Sequence, residues 1–180
     1  VLSYFVSMGF LYIALINSIV SFVYSWRLKG TPLIGNMAVS WLAASTFIAG
    51  ALISHTFYSL PLAVLILGAI AFLGTLSREI FKDIEDVKGD SAAKIKKLPI
   101  VIGGRKSTAV ASVVLIIGIL SLLLPAYLNL FTYFYYIGMI PSALVCLYAL
   151  AKMKNARKAQ KMIKIAMYFV FLGFVLGTLL

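Results

Sequence analysis

Apolar runs near 20 residues long, set apart by short polar interruptions, make up most of this chain. Wound as a helix, such a run crosses a hydrocarbon core about 30 Å thick. Hydrophobic length predicts six helices, at approximately 1–26, 31–53, 58–82, 107–128, 131–152 and 160–180. The interruptions differ in kind. Arg27 and Lys29 occupy the first, Lys82 through Lys106 fill a long one, and Lys152 through Lys164 fill another. The two turns between them, "SHTFYS" and "AYLNLFT", hold no Lys, Arg, Asp or Glu.

Threading the helices alternately up and down puts all 16 basic residues on one side, which the positive-inside rule makes cytoplasmic. The expected fold class is all-α: a polytopic membrane helical bundle forming one transmembrane domain over 1–180, in the cell membrane. Val1 and Leu180 then both lie outside, which most simply calls for an odd number of further spans ahead of Val1. The chain runs from Val1 straight into hydrophobic sequence, without a basic n-region or a small-residue cleavage site. It therefore reads as the later part of a longer protein.

Smaller features fit this frame. Pro32 and Pro61 suit first turns of helices, while Pro125 and Pro141 are placed to kink spans. Glycines 68, 74, 118, 138, 173 and 177 are expected to permit close helix packing. "LFTYFYY" at 130–136 reads as an outer interfacial aromatic belt.

Composition narrows the class further. The chain is 63% hydrophobic and 12% charged, with a mean hydropathy of +1.06, whereas soluble domains carry about a quarter charged residues. A water-soluble globular protein is excluded. The formal charge of +11 lies between hydrophobic spans, so its expected partners are anionic lipid head groups or an anionic substrate, and not nucleic acid. Cys146, the single cysteine, cannot form an intrachain disulfide and suits a small buried core position.

The acids change the picture most. Glu79, Asp83, Glu85, Asp86 and Asp90 are all five carboxylate side chains in the chain, and all lie in "REIFKDIEDVKGD", 78–90. In a continuous helix Glu79, Asp83, Asp86 and Asp90 share one face. Crowded carboxylates repel one another unless a cation relieves them. Magnesium is suited to that task, because it takes one or two carboxylates and completes its shell with water and substrate phosphates. Ion pairing with the interleaved Arg78, Lys82 and Lys88 is the plainer alternative. No acid lies deep in a span, as ion-coupled transport commonly requires. His55 stands on the opposite side, and no zinc set, serine triad, dinucleotide fingerprint or P-loop is present.

"SREIFKDIEDVKGD" followed by "KKLPIVIGG" resembles the second aspartate-rich motif of the UbiA superfamily of intramembrane prenyltransferases, most of all its archaeal ether-lipid branch. "YSWRLKGTPLIGN" (24–36) resembles the Tyr/Lys segment of the same family. The resemblance implies nine transmembrane helices around a central cavity, of which these six are the fourth to ninth. It also implies two aspartate-rich motifs, and the first does not occur here. The missing helices would then lie on a separate chain or have been lost or left out, and this part alone is expected to be inactive. Lys94 and Lys97 stand where the resemblance leads one to expect glycine and threonine.

By the same resemblance, Asp83, Asp86 and Asp90 hold Mg2+ against the diphosphate of geranylgeranyl diphosphate. The free glycerol hydroxyl of geranylgeranylglyceryl phosphate is the implied acceptor. Lys29 and Arg78 are the expected phosphate grips, with Lys82 and Lys88 in support, and Tyr24 and Asn36 orient substrate. Tyr24, Lys29 and the three aspartates form the expected catalytic set. Arg27 and the 152–164 basic cluster are read as topology determinants and head-group contacts. The alternatives are a prenyltransferase with an aromatic acceptor, and a non-catalytic membrane subunit or transporter with a regulatory cation site.

Overall fold

A computed structural model of the chain describes residues 5–179. Those residues form an all-α bundle with no strand among them. Helix α1 (Met8–Val23) ends in a π-turn, Tyr24–Leu28. Then come α2 (Ile34–Ala51), α3 (Leu62–Glu85) and the short α4 (Val87–Ala92) and α5 (Leu98–Ile102). The chain continues through α6 (Gly104–Ser121), α7 (Leu123–Tyr127), α8 (Tyr135–Ala151) and α9 (Ala156–Leu179). Five helical segments are long and apolar enough to cross a membrane. The sixth apolar helix, α8, has 17 residues and a length of about 25 Å.

The six expected helices are all present, and their boundaries moved for local reasons. Asn155 accepts the backbone N–H of Lys158 through its side chain, an N-cap that starts α9 four residues before the expected 160. The long connection 82–106 is not a loop: α3 runs on to Glu85, and α4 and α5 fill much of the rest. Pro125 has no N–H to continue the ladder, and the fourth span breaks at Leu122 into α6 and α7. Pro32 lies in the turn before α2, and Pro61 caps α3 from outside. The first four residues of the expected first helix, and Leu180, lie outside the described residues.

Helix α3 is the axis of the bundle and packs against α2, α6 and α9. Its buried Ile80, Phe81 and Leu76 join Ala111 and Leu115 of α6 with Ile163 and Ala166 of α9 in the larger core cluster. Polar bridges add specificity where lipid offers none. Ser77 donates to Ala111 O at 2.9 Å, and Asn17 joins α1 to Ser45 and Trp41 of α2.

The α8–α9 hairpin closes the other side. A Cβ at Gly138 would strike the backbone of Phe169 and Gly173, so both positions need glycine for this approach. Here the aromatic-belt expectation needs correcting. Tyr135 is buried, stacks on Phe174 with ring centroids 5.6 Å apart, and donates its hydroxyl to Leu122 O. Tyr133 and Tyr136 are the exposed members of that run.

Candidate active site

All the ends that carry charge gather at one end of the bundle. The C-termini of α1, α3 and α8 and the N-termini of α2, α6 and α9 carry the basic and acidic residues. The opposite turns, including exposed His55, carry none of the acids.

The π-turn opens the site from the α1 side. Lys29 N bonds to Tyr24 O at 2.9 Å, five residues back. This one-residue bulge is a device that often re-aims side chains at functional positions. Gly35 lets α2 begin directly beneath it, because a Cβ there would lie 2.6 Å from Leu28 O. Thr31 closes the turn by donating its hydroxyl to Leu28 O. Asn36 thereby enters the first turn of α2 as a buried residue.

Asp83, in the last turn of α3, is only 1% exposed. Asn36 Nδ2 donates to its Oδ2 at 2.7 Å, and Lys97 Nζ donates to its Oδ1 at 2.5 Å. A buried carboxylate must be paired and hydrogen-bonded to be tolerated, and both of its oxygens are. Lys97 itself is the N-cap of α5, held there by the buried Leu98 and Pro99 that follow. Burial pulls the Lys97 pKa down. The hydrogen bond and charge of Asp83, with smaller help from Asp90 and Tyr24, outweigh that and leave it raised.

The helix does not continue unbroken through the acids. Asp86 adopts φ −88° and ψ 4°, ending α3 and redirecting the chain into α4. Asp83 therefore faces inward, Asp86 is exposed, and Asp90 is half-buried. Asp86 makes no side-chain hydrogen bond or ion pair, and Asp90 Oδ2 is buried without a hydrogen-bond partner. Among the described residues, no three acidic, histidine or cysteine side chains are grouped to hold a metal. The three aspartates expected to converge on magnesium are thus not brought together. Asp86 and Asp90 fit a hard cation that needs one or two carboxylates, and the orphaned Asp90 oxygen marks where such a charge is wanted. Both oxygens of Asp83, in contrast, accept from side chains, Asn36 and Lys97.

The remaining acids are paired. Glu79 binds Arg78 at 2.7 Å, with Lys82 at 3.8 Å. Glu85 accepts from Arg157 Nε at 2.7 Å and from Gln160 at 3.3 Å, tying α9 to the end of α3. Arg78, expected as a phosphate grip, thus has its guanidinium engaged by its sequence neighbour, although its buried Nε lacks a partner. Lys29 and Lys88 are exposed and make no ion pair among the described residues. Tyr24 is half-buried, its ring edge 3.7 Å from where a Gly35 Cβ would stand.

Sequence reasoning gave no role to Lys97 and treated Arg157 as part of a topology cluster. For Lys97 a signal existed: a lysine where the resemblance calls for threonine. For Arg157 there was none, since its partner is 72 residues away.

Two apolar hollows adjoin these elements. A cavity of about 420 Å³ lies inside the bundle between α3, α6, α8 and α9, against Gly74, Gly118 and Phe174. A more open groove of about 630 Å³ runs between α1 and α2 and ends at Val23, Leu28 and Ile34. The groove thus meets the π-turn that carries Tyr24 and Lys29.

Known proteins resemble this chain in sequence and in fold. The chain is 40% identical over 171 residues to the digeranylgeranylglyceryl phosphate synthase of Methanopyrus kandleri, a match covering 93% of this chain and 62% of that protein. It is also 40% identical over 168 residues to the enzyme of the same name from Methanothrix thermoacetophila, covering 92% of this chain and 60% of the other. A solved structure concerning digeranylgeranylglyceryl phosphate synthase in membranes superposes with a TM-score of 0.86 at 31% identity. That match covers 98% of this chain and 63% of the other. The chain spans about three-fifths of the length of each of these relatives. The model of the UbiA prenyltransferase family matches residues 1–175, and with an all-helical bundle whose acids gather at one polar end, the chain belongs to that family.

Proposed function

We propose that the protein of which these residues form the greater part transfers a geranylgeranyl group from geranylgeranyl diphosphate to the free glycerol hydroxyl of geranylgeranylglyceryl phosphate. One C–O bond forms, between the glycerol oxygen and the allylic carbon. The C–O bond to diphosphate breaks, and the hydroxyl proton leaves to the departing diphosphate or to water. The observation that carries this reading is the junction itself. Asp90 and Tyr24 both act on Lys97, which bonds Asp83 beside Asn36, and an apolar groove reaches Leu28 in the turn that holds Tyr24. The names of the relatives supply the chemistry for a site of that shape.

Asp86 and Asp90 are the residues that would hold magnesium. When bound there, a divalent cation would supply positive charge to a leaving diphosphate. Lys29 and Lys88 add point charges for phosphate oxygens, and Tyr24 orients the reacting end through its hydroxyl. The groove walls hold the isoprenoid and keep water from the reacting carbon. The charged end faces the cytoplasm, a reading supported by the gathering of basic residues there. Arg27 and the free lysines of 152–164 meet anionic head groups.

The full-length protein, supplied with geranylgeranyl diphosphate and Mg2+, is expected to yield ether lipid from geranylgeranylglyceryl phosphate. Product formed only from an aromatic acceptor would overturn the acceptor assignment. Unchanged turnover on removing divalent cations would overturn the site.

A further inference from the structure

The cation that serves Asp83 is already built into this chain. Asp83 is 1% exposed, and its two oxygens accept from Lys97 Nζ and Asn36 Nδ2. An ammonium at 2.5 Å occupies the approach to Oδ1 that a metal would take at about 2.0–2.1 Å. A +1 group held there repels a +2 ion brought to the same carboxylate.

Lys97 is not a surface side chain that fell there by chance. It stands at the N-cap position of α5, directly before the buried Leu98 and Pro99, and its side chain is only 20% exposed. Among the described residues Asp86 makes no side-chain bond, and Asp90 acts on Lys97 only through its charge, its Oδ2 buried without a hydrogen bond. The division of labour among the three aspartates follows from which one Lys97 reaches.

We infer that Lys97 permanently occupies the cation position at Asp83, so that in this protein Asp83 is a positioning residue for Lys97 and Asn36 and not a magnesium ligand. The inference rests on the magnesium reading of Asp86 and Asp90 given above.

The test is Mn2+ binding to the full-length protein in lipid nanodiscs, followed by electron paramagnetic resonance with inorganic diphosphate present. Asp86→Asn is expected to weaken Mn2+ binding at least tenfold, and Asp83→Asn no more than twofold. Lys97→Thr frees Asp83 and is expected to tighten Mn2+ several-fold, a gain that adding Asp83→Asn removes. Lys97→Arg, which keeps the charge, is expected to behave as the parent. The doubly neutral Asp83→Asn, Lys97→Met pair preserves packing if single changes misfold, and is expected to stay within twofold of the parent. Loss of Mn2+ binding in Asp83→Asn or in that pair comparable to Asp86→Asn would overturn the inference, as would a Lys97→Thr protein whose Mn2+ affinity is unchanged. Absence of ether product with this Mn2+ pattern intact would sink the transferase reading and leave the inference standing.

Discussion

The two ends of this bundle are held by different forces. At the uncharged end, α8 and α9 touch backbone to backbone at Gly138 and Gly173, and Tyr135, Phe131 and Phe174 stack beside them. At the charged end, α2, α3, α5 and α9 are joined by carboxylates: Asp83 to Asn36 and Lys97, and Glu85 to Arg157 and Gln160. The first end depends on shape and tolerates no added atom. The second depends on charge and leaves two aspartates unsatisfied. A region whose polar groups are all answered has no capacity left for a ligand; the charged end keeps some back.

Changes at each end should therefore fail differently. The largest loss of stability is expected from Gly138→Leu, whose side chain would need the space of the Phe169 and Gly173 backbones. Overpacking of that kind belongs with the rare substitutions that cost more than about 4 kcal/mol, visible as loss of folded protein in a detergent melt. Gly74→Ala, whose new methyl meets only Met167 at 3.8 Å, is the matched control and should melt within about 0.5 kcal/mol of the parent.

Asp86→Asn should do the reverse. The exposed residue bonds to nothing through its side chain, so the melt should barely move while product formation falls about 100- to 1000-fold, the scale of losing one charge-stabilising group at a reacting centre. A destabilised Asp86→Asn protein would blur the contrast between the two ends.

Lys94 sharpens it from another direction. It adopts φ 57°, a left-handed conformation costing a non-glycine residue about 1 kcal/mol, and stands where glycine is expected. Lys94→Gly should raise stability by about that amount in chemical denaturation. No change would mean that the surrounding loop already absorbs the strain.

The smallest effect is expected at Arg157. Its side chain is 71% exposed, and exposed pairs contribute about 0–1 kcal/mol. Arg157→Ala should cost a few tenths at low salt and nothing measurable at about 1 M.

The sequence carried the bundle plainly, because length of apolar run is a local property and six runs made six helices. Ends were harder. Asn155 moved the start of α9 through one hydrogen bond gained, and Pro125 broke the fourth span through one it cannot make; hydropathy registers neither. The acidic stretch was legible as a site of interest from composition alone. Its internal division was not. Helical spacing treats Asp83, Asp86 and Asp90 as equivalents, whereas the turn at Asp86 and the arrival of Lys97 from the following loop separate them. Tyr135 shows the same limit: it reads as belt by its neighbours and as core by its contacts.

The π-turn at Tyr24–Leu28 sets the phase of what surrounds it. One extra residue in the coil offsets everything beyond it by about 100° relative to a continuous α-helix, and Lys29 owes its angular position to that offset. Gly35 locks the offset in place, because Leu28 O occupies the space any side chain there would need. The turn and the glycine thus act as one indexing device. Removing a residue from the turn would leave the helix length almost unchanged while rotating the lysine to another side of the helix, converting a change in length into a change in direction.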